Sequence, residues 1–482
     1  MKYDIIIIGA GLGGLTAGAK LSKEGKKVLI IEQHSKPGGC ATTFKRGDFT
    51  MEVGLHEMDG PSPRDMKTRI FNELEVFNNV EFVKVPEFYH FVRENVNITI
   101  PHDRAEATRI LKEAFPSEID GIEAFYNQIL NPKKKSTDNE TIKENSLGEF
   151  LDSIIHNEDL KLVLLGNLGY FHDDPYSISL TYYSVAQGSY YNGGASFIKG
   201  GSQKLSDHLA EFIRQHEGTV VLNHLVTGII KENDKLAGVT YKKSRGSSSE
   251  IITAYADEII ANAAIPNVAE LLPEEYSGKL INEIINQKPG ASLLTIYFGF
   301  RNNLKNIGNH HYSTFVFDGS IKTQADILNN NKGEFNRRSF TFIDYGQIDS
   351  GLAPEGKSVG ALCCIDYLTD WEYLSDKEYN AKKEDVAKIF IGRLEKLIPG
   401  ISAEIEYYEV GTSATIKRYT LNPGGAVYGF AQVPGKPVID TSYLFDNLHF
   451  ASAWGKTGGG FSGVIYSGFL CAYNILRKKN TI

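Results

Sequence analysis

The segment from Lys2 to Glu32 constrains the fold more than any other stretch of the chain. Residues 3–8 and 28–31 are short apolar runs rich in Ile, and a helical pattern that ends near Gly25 lies between them. Short β-branched runs of this kind are typical of strands buried on both faces of a parallel sheet. The sequence therefore predicts a strand–turn–helix–strand unit at the start of the chain.

The predicted turn carries the pattern G-x-G-x-x-G, with glycines at positions 9, 11 and 14. Gly9 allows the tight turn, Gly11 lets the backbone approach a pyrophosphate, and Gly14 lets the helix pack closely on the strand. The first N–H groups of the helix and its positive dipole end then face the phosphates. The order of strand, glycines and helix predicts a dinucleotide site; the alternative is a glycine-rich turn that binds nothing.

An acidic residue completes this unit. Glu32 directly follows the second apolar run, at the end of the predicted second strand. A carboxylate in that position can accept hydrogen bonds from the ribose hydroxyls of the adenosine. It would repel a 2′-phosphate, so the sequence favours FAD or NAD over NADP.

Length and charge exclude several classes of protein. A chain of 482 residues exceeds one ordinary core, so two domains are expected. Lys and Arg number 51 against 59 Asp and Glu, a net charge of −8 that argues against nucleic-acid binding. No apolar run approaches the roughly 18 residues of a membrane span.

The chain contains four cysteines, Cys40, Cys363, Cys364 and Cys471. They form no C-x-x-C pair and indicate reduced thiols in a cytosolic protein.

Two further motifs follow the dinucleotide pattern. Gly38-Gly39 is a second glycine loop, and Glu52-Val53-Gly54-Leu55-His56 is an acidic-x-Gly-x-His segment. With these motifs the stretch 5–56 resembles the FAD-binding N-terminus of the phytoene desaturase, carotenoid isomerase and retinol saturase family. The version with His is nearer the retinol saturase and carotenoid isomerase branch, although the family usually has Asp where Glu52 stands. The resemblance implies FAD as the cofactor.

Two later regions extend the resemblance. In residues 195–265 it implies that the backbone of Val226 meets the adenine and that Ala263 lies at the adenosine end. The strand at 447–452 and the glycine-rich segment 453–463 would hold the ribityl chain and the pyrimidine edge of the flavin. Many flavoproteins have Gly-Asp at the end of this strand, where this chain has Ala451-Ser452-Ala453.

The resemblance thus implies a set of cofactor-binding residues from both ends and the middle of the chain. They are Gly9, Gly11, Leu12, Gly13, Gly14, Glu32, Gln33, Gly39, Cys40, Thr42, Thr43, Gly54, Leu55, His56, Val226, Ala263, Ala453, Gly459, Gly460, Phe461 and Ser462.

The expected fold class is α/β. A Rossmann-like FAD-binding domain of the glutathione reductase type is predicted from residues 1–75, 195–280 and 425–482, and a second, α+β substrate-binding domain from 76–194 and 281–424. Only the N-terminal G-x-G-x-x-G is followed by a predicted second strand and an acidic residue, so a second Rossmann domain for NADPH is not expected. Within the second domain, 301–338 is predicted to be a loop excursion and Lys133-Lys134-Lys135 a solvated surface loop.

Residues 146–198 are the most aromatic part of the chain. The aromatic residues are Tyr170, Phe171, Tyr176, Tyr182, Tyr183, Tyr190, Tyr191 and Phe197. Rigid aromatic rings can wall an elongated apolar tunnel, and they serve equally well in an ordinary core. Both interpretations stay open from the sequence.

The resemblance predicts an FAD-dependent oxidoreductase that acts on carbon–carbon double bonds of a long apolar polyene or isoprenoid, such as a carotenoid or retinoid. Hydride transfer with flavin N5 would give saturation, desaturation or flavin-dependent isomerisation. His56 is the candidate catalytic residue, with a structural histidine as the alternative. Cys40 could approach the cofactor or be a buried inert thiol, and Tyr191 and Lys199 are weaker candidates.

Two other functions are compatible with the same fold. One is an amine oxidase-like flavoenzyme, and the other is a non-catalytic, prenyl-lipid-binding escort protein. No metal site is expected, because the adjacent His310 and His311 would point opposite ways on a strand. We expect an apolar small-molecule substrate, no nucleic-acid partner and a cytoplasmic location, with peripheral membrane contact and the oligomeric state left open.

Overall fold

The computed structural model describes residues 2–63, 65–132, 144–246 and 250–479. The predicted surface loop at Lys133-Lys134-Lys135 lies outside these residues. Numbered in chain order, the strands are β1 (Lys2–Ile8), β2 (Val28–Ile31), β3 (Thr43–Arg46), β4 (Phe49–Glu52), β5 (Met58–Asp59), β6 (Phe82–Lys84), β7 (Tyr89–Arg93), β8 (Val96–Ile100), β9 (Ala195–Ile198), β10 (Thr219–Val221), β11 (His224–Glu232), β12 (Lys235–Lys243), β13 (Ile252–Ala261), β14 (Ser292–Phe300), β15 (Ser313–Val316), β16 (Phe340–Asp344), β17 (Ser358–Asp366), β18 (Ile405–Gly411) and β19 (Leu448–Phe450).

The α-helices are interspersed among these strands. They are α1 (Leu12–Lys23), α2 (Met66–Glu73), α3 (Arg104–Ala114), α4 (Ile119–Leu130), α5 (Leu147–Ile154), α6 (Glu158–Leu164), α7 (Leu180–Gly193), α8 (Gln203–Gln215), α9 (Ile265–Leu271), α10 (Glu274–Ile284), α11 (Ile327–Asn331), α12 (Asp376–Leu397), α13 (Ile401–Glu404), α14 (Ser413–Thr420) and α15 (Gly460–Lys479).

The first sheet has the predicted Rossmann-like core, and the fold is α/β. Its strands β10, β2, β1, β13 and β19 are parallel neighbours in that order. The hairpin β11–β12 joins the sheet where β12 pairs antiparallel with the first half of β13. The sheet is therefore assembled from the beginning, middle and end of the chain.

Both faces of this sheet are buried, as the apolar run at residues 3–8 predicts. Ile5 and Ile7 belong to a large cluster that also contains apolar residues of α1, α8 and α15. Ile6 and Ile8 point the other way and pack in a second cluster with α9 and α10. Successive side chains of a strand alternate between faces, so only a continuous apolar run can fill both clusters.

The second sheet has seven strands in the order β18-β14-β17-β16-β15-β7-β8. Neighbouring strands in this sheet pair antiparallel, except β15 and β7, which are parallel. Helix α12 covers one face through Phe390 and Leu394, which pack with Leu294 and Leu362 of the sheet. This antiparallel sheet lies in sequence segments predicted to form a substrate domain, whose boundaries stay a prediction.

One prediction in this region is wrong. Residues 301–338 are not a loop excursion, because Ser313–Val316 forms β15 in the interior of the second sheet, between β16 and β7. The run is too short for its alternation to stand out from the polar residues around it. Its conformation is fixed by hydrogen bonds to two neighbouring strands.

Two small sheets connect these parts. β3 and β4 form a hairpin, and β5-β9-β6 form a three-stranded sheet. Over the described residues, no helix is long and apolar enough to cross a bilayer. The cysteines are all free, as predicted; Cys363, Cys364 and Cys471 are buried and Cys40 is exposed.

Candidate functional site

A cavity of about 1270 Å³ begins at the carboxyl end of the parallel sheet. Ile8, Ile31 and Asn262, which end or follow β1, β2 and β13, lie in its wall. Ligands of open α/β sheets bind at this edge. From there the cavity continues without a break to the second sheet, where it is lined by Thr295 and Cys363.

The glycine turn at the start of α1 is shaped by close backbone contacts. Gly9 has φ +94°, which favours glycine. A Cβ on Gly13 would lie 1.9 Å from the carbonyl oxygen of Ala451, and one on Gly14 would lie 2.3 Å from that of Gly9. Gly11 caps α1 without a side chain, so nothing from that residue covers the first N–H groups of the helix. The turn therefore presents bare backbone to the cavity.

Glu32 lies beside this turn with its carboxylate held in place. One oxygen accepts a hydrogen bond from the Ala10 N–H at 2.7 Å, and the other accepts one from the His34 N–H at 2.9 Å. The residue is 5% exposed and lines the cavity. These contacts fix the carboxylate at the sheet edge, where the sequence predicts a ribose.

The second glycine loop packs directly on the first. The Gly38 N–H donates to the Ala10 carbonyl at 2.7 Å, and a Cβ on Gly39 would lie 3.3 Å from Gly11 Cα. Gly38 and Gly39 have φ of +125° and +62°. The next residue, Cys40, lines the cavity and is not the buried thiol of the alternative prediction. Desolvation by the surrounding protein raises the pKa of its thiol.

Glu52, the acidic residue of the second motif, organises the loop from behind. Its buried carboxyl accepts hydrogen bonds from the N–H groups of Gly54 and Leu55 at 3.1 and 2.9 Å, and from the N–H and hydroxyl of Ser202, each at 2.7 Å. Burial raises the pKa of Glu52 to about 7 against the effect of these donors. It thus ties the 53–56 loop to the start of α8, and His56 at the end of that loop faces the cavity.

Another part of the cavity wall is built by the last helix. Gly459, Gly460, Phe461 and Ser462 line the cavity where α15 begins. The N–H groups of a helix start can stabilise negative charge on a ligand. The Ser462 hydroxyl donates to Asp59, which also lines the cavity.

A buried lysine supports this region. Lys67 is fully buried and pairs with Asp59 at 2.9 Å and with Asp65 at 2.8 Å. Tyr466 of α15 donates to the same Asp65. Asp59 and Asp65 therefore connect Lys67 of α2 to Ser462 and Tyr466 in the first turns of α15.

The part of the cavity predicted to hold adenosine contains one contact that the sequence analysis missed. The Gln33 side chain donates to the carbonyl of Tyr419 at 3.2 Å, and the rings of His34 and Tyr419 lie 5.7 Å apart. Val226 and Ala263 also line the cavity. Tyr419 is remote from Gln33 in sequence, and no local pattern marks it, so its role emerges only from the fold.

His56 belongs to a strip of neutral polar groups in the cavity wall. Its Nδ1 lies 3.2 Å from the Tyr170 hydroxyl, and its Nε2 lies 3.4 Å from the Cys363 sulfur. Cys363 in turn lies 3.0 Å from the Thr295 hydroxyl. Burial lowers the pKa of His56 to about 4 and raises that of Cys363 to about 12, so neither group is charged near pH 7.

The aromatic segment divides between the two predicted roles. Tyr170, Phe171, Tyr182 and Tyr190 line the cavity, joined by Phe315 and Phe317 of the second sheet region. Tyr183 and Phe197 are fully buried in the core instead, and Tyr176 is exposed. The segment is therefore divided between the cavity wall and the core, and a substrate tunnel stays a prediction.

Most of the predicted cofactor residues meet in this one cavity. Those that line it are Gly9, Gly11, Leu12, Gly13, Glu32, Gln33, Gly39, Cys40, Thr42, Thr43, Gly54, His56, Val226, Ala263, Ala453, Gly459, Gly460, Phe461 and Ser462. Gly14 packs behind the turn, and Leu55 is fully buried with its N–H on Glu52, so neither is part of the lining.

The weaker catalytic candidates lie elsewhere. The Tyr191 hydroxyl is 3.3 Å from that of Tyr126, and Lys199 pairs with Glu81 and Asp349; neither residue lines the cavity. His311 stacks on His90 with ring centroids 3.6 Å apart. Among the described residues no group of His, Cys, Asp and Glu could hold a metal ion.

This geometry suits a long dinucleotide cofactor. Two helix starts line one cavity, a backbone cradle without side chains lies at one of them, and Glu32 stands beside that cradle. A Cβ at Gly11 would lie 2.9 Å from Asn262 Nδ2, so even a methyl group at this position would press on the Asn262 side chain. The residues present therefore fit FAD, and the volume leaves room for a second ligand beside it.

Comparisons with known proteins agree with this assignment. The family model "Flavin containing amine oxidoreductase" matches residues 12–476. A prolycopene isomerase of Daucus carota is 27% identical over 534 aligned positions, which cover 100% of this chain and 82% of the relative. An all-trans-retinol 13,14-reductase of Danio rerio is 25% identical, covering 88% of this chain and 77% of the relative.

Among solved structures, an oxidoreductase of Methanosarcina mazei superposes with a TM-score of 0.68. The match covers 99% of this chain and 100% of the other, at 17% identity. A likeness at this identity shows the fold.

Proposed function

This chain belongs to the flavin-containing amine oxidoreductase family and is an FAD-dependent oxidoreductase, and we propose that it acts on carbon–carbon double bonds of a long apolar polyene or isoprenoid. Hydrogen would be added to such a bond or removed from it, or the bond would isomerise between cis and trans with no net transfer of electrons. The proposal also assigns the cofactor residues that line the cavity to FAD and makes His56 a polar residue at the reacting end.

The observation that carries the proposal is the continuity of the cavity. It passes from the helix starts into a chamber with aromatic walls, which include Tyr170, Tyr182, Tyr190 and Phe315. Aromatic side chains offer large rigid apolar surfaces and bury conjugated ligands well. A long apolar substrate could therefore extend from the cofactor along the aromatic walls, past the neutral polar strip at His56.

The cofactor and the chain would divide the chemistry between them. Bound FAD supplies hydride chemistry at its N5 atom. The turn at Gly11 and Leu12 would hold the pyrophosphate, Glu32 the adenosine ribose, and the start of α15 the flavin end. The neutral His56, held between Tyr170 and Cys363, offers a hydrogen-bonding group without adding a charge to the apolar chamber.

The named relatives support this substrate class. The carrot protein is a prolycopene isomerase and the zebrafish protein a retinol 13,14-reductase, so both act on polyenes. Both align with most of this chain. An amine substrate is the second enzyme candidate, because amine oxidoreductases give the family its name. The non-catalytic escort function is not favoured, since a lipid carrier has no need of a complete phosphate cradle and ribose carboxylate.

The test is anaerobic reduction of the flavin followed by mixing with a panel of polyenes. We expect a polyene to reoxidise the flavin with formation of a saturated product, or to isomerise without reoxidation. Oxidised enzyme mixed with a panel of amines is the parallel arm. Flavin reduction by an amine, with no response to any polyene, would contradict the proposal.

Peripheral membrane contact is proposed on the same substrate class. Val185 of α7 lines the cavity and is 56% exposed, which makes this helix the candidate entrance. A polyene dissolved in a bilayer could enter there. Flotation with liposomes measures the contact: Val185→Asp should reduce the bound fraction, and a wild-type enzyme that does not float with the liposomes would contradict it.

A further inference from the structure

We propose that Glu57 is the acid that delivers the proton to the substrate carbon, acting in its neutral form from the wall of the cavity. The inference rests on the proposed function and names a catalytic residue for it. Glu57 follows His56 directly, yet the sequence motif that singles out His56 gives no indication of it.

The contacts of Glu57 set it apart from the other buried acidic residues. It is 8% exposed and lines the cavity, and neither carboxyl oxygen has a hydrogen-bond partner among the described residues. An unpaired polar group in such a position is costly, and an unpaired charge costs more. A buried carboxyl without a structural partner is therefore a candidate for a functional role.

The neighbouring carboxyls, by contrast, have partners. Asp59 pairs with Lys67 and accepts from Ser462. Glu87 accepts the Tyr312 N–H at 2.5 Å and does not line the cavity. Of these three carboxyls, Glu57 is therefore the one that no hydrogen bond or ion pair among the described residues engages.

The surroundings favour the protonated form of Glu57. Burial is the largest cause, and the negative charges of Glu87 and Asp59 add to it, so that its pKa is raised well above the usual value. The hydroxyls of Tyr170, Tyr190 and Tyr312 also lie within electrostatic range, and their own pKa values are raised well above normal. The neighbouring His56 is neutral and supplies no positive charge to the carboxylate of Glu57.

A neutral acid in an apolar chamber supplies what reduction of a double bond requires. One carbon of the bond would take up a hydride, which is the chemistry that the reduced cofactor supplies. The other carbon forms a C–H bond with the proton that leaves Glu57, and the π electron pair becomes that bond. Glu57 is left as a carboxylate and recovers a proton from solvent, while an external two-electron donor restores the cofactor.

The first experiment needs no activity. Infrared difference spectra of the apoprotein, wild type against Glu57→Gln, report the carbonyl stretch of a protonated carboxyl at pH 7. We expect one such band to disappear in Glu57→Gln. The matched control is Glu87→Gln, which should retain the band assigned to Glu57. If Glu57→Gln retains every protonated-carboxyl band of the wild type, the proposal is overturned.

The second experiment measures the proton step in the holoenzyme reduced with dithionite. Reoxidation by the polyene that the wild type accepts should slow by about 100-fold or more in Glu57→Gln, the usual range for loss of a general acid. Glu87→Gln should stay within a few-fold of wild type. Both variants should bind FAD, and Glu57→Leu serves as a second variant without a polar group.

The pH profile distinguishes proton delivery from a structural role. In the wild type the rate should fall as the pH rises through the pKa of Glu57, because only the neutral acid can donate. This limb should persist in Glu87→Gln and be absent in Glu57→Gln. Reoxidation of Glu57→Gln at the wild-type rate overturns the inference and leaves the proposed function intact, and so does a wild-type enzyme that isomerises polyenes without being reoxidised. A wild-type enzyme that no polyene reoxidises and that isomerises none overturns both.

Discussion

Three buried glutamates near the cavity illustrate how the same side chain takes different roles. Glu32 accepts from the N–H groups of Ala10 and His34 and stays at the sheet edge. Glu52 accepts from four donors and fixes the loop that carries His56. Glu57 has no partner for either oxygen among the described residues. Hydrogen-bond partners, more than burial, distinguish the roles that we propose for these side chains: ribose binding for Glu32, support of the loop for Glu52 and proton release for Glu57.

The role of Glu32 can be measured through FAD affinity. Glu32→Ala removes an ionised acceptor for the ribose hydroxyls, a loss of about 1.5–3 kcal/mol for hydrogen bonds to a charged group. We expect the Kd for FAD to rise roughly tenfold to hundredfold, as measured by quenching of flavin fluorescence. Asp4→Ala is the control, because Asp4 accepts the Lys27 N–H at 2.7 Å on the same two-strand unit. An unchanged Kd in Glu32→Ala would exclude the ribose contact.

At the scale of elements, the site depends on the crossing of α1 and α15. A Cβ on Gly468 of α15 would lie 2.1 Å from the Gly13 carbonyl oxygen, and Gly13 itself lies against Ala451. Glycines at both contact points let the first and last helices approach to backbone distance. Each helix start then faces the cavity, although one helix begins at Leu12 and the other at Gly460.

Two glycines inside helices provide a matched test of this crossing. Gly468→Ala should lower the melting temperature, since overpacking costs about 1–3 kcal/mol, and should weaken FAD binding by shifting α15. Gly392 of α12 has no atom within 4 Å of its would-be Cβ. Gly392→Ala should therefore stabilise the protein by about 0.5–1 kcal/mol. Thermal unfolding of both variants checks the pair, and a tolerated Gly468→Ala would contradict the close crossing.

At the scale of the whole molecule, the cavity joins parts of the chain that no short segment contains. The parallel sheet takes strands from residues 2–31, 219–261 and 448–450, and the second sheet supplies the chamber wall at Thr295 and Cys363. A cofactor bound along this cavity contacts several of these segments together. Its binding should stabilise the folded molecule as a unit.

Removal of FAD tests this coupling. At a free concentration of FAD 100 times its Kd, the gain in folding free energy should be about 2.7 kcal/mol, and the melting temperature of the apoprotein should rise with added FAD. ADP should restore part of the increase through Glu32 and the glycine turn, whereas FMN, which lacks the adenosine half, should restore less. Equal protection by FMN and ADP would contradict an ADP-binding role of the N-terminal unit.

The features that short segments encode were predictable without the structure. The apolar run at 3–8, the glycines at 9, 11 and 14, and Glu32 lie within one short segment, and each imposes a physical requirement that the structure meets. The Gly38-Gly39 loop and the 453–463 segment were recognisable for the same reason. A continuous apolar run indicates a strand that is buried on both faces, and glycines mark tight turns and close backbone contacts. Their positions therefore predict a parallel sheet and its ligand edge.

Features that depend on neighbours remote in sequence became visible in the folded chain alone. β15 escaped prediction because so short a run carries too little pattern, and two other strands hold it in the sheet. Tyr419 is at the end of α14, which contacts β14 and β18 of the second sheet, whereas Gln33 follows β2 of the first sheet, so only the packing of the whole chain brings the two residues together. Glu57 is marked by having no hydrogen-bond partner among the described residues, and the absence of a partner becomes visible only when the neighbouring groups have been placed.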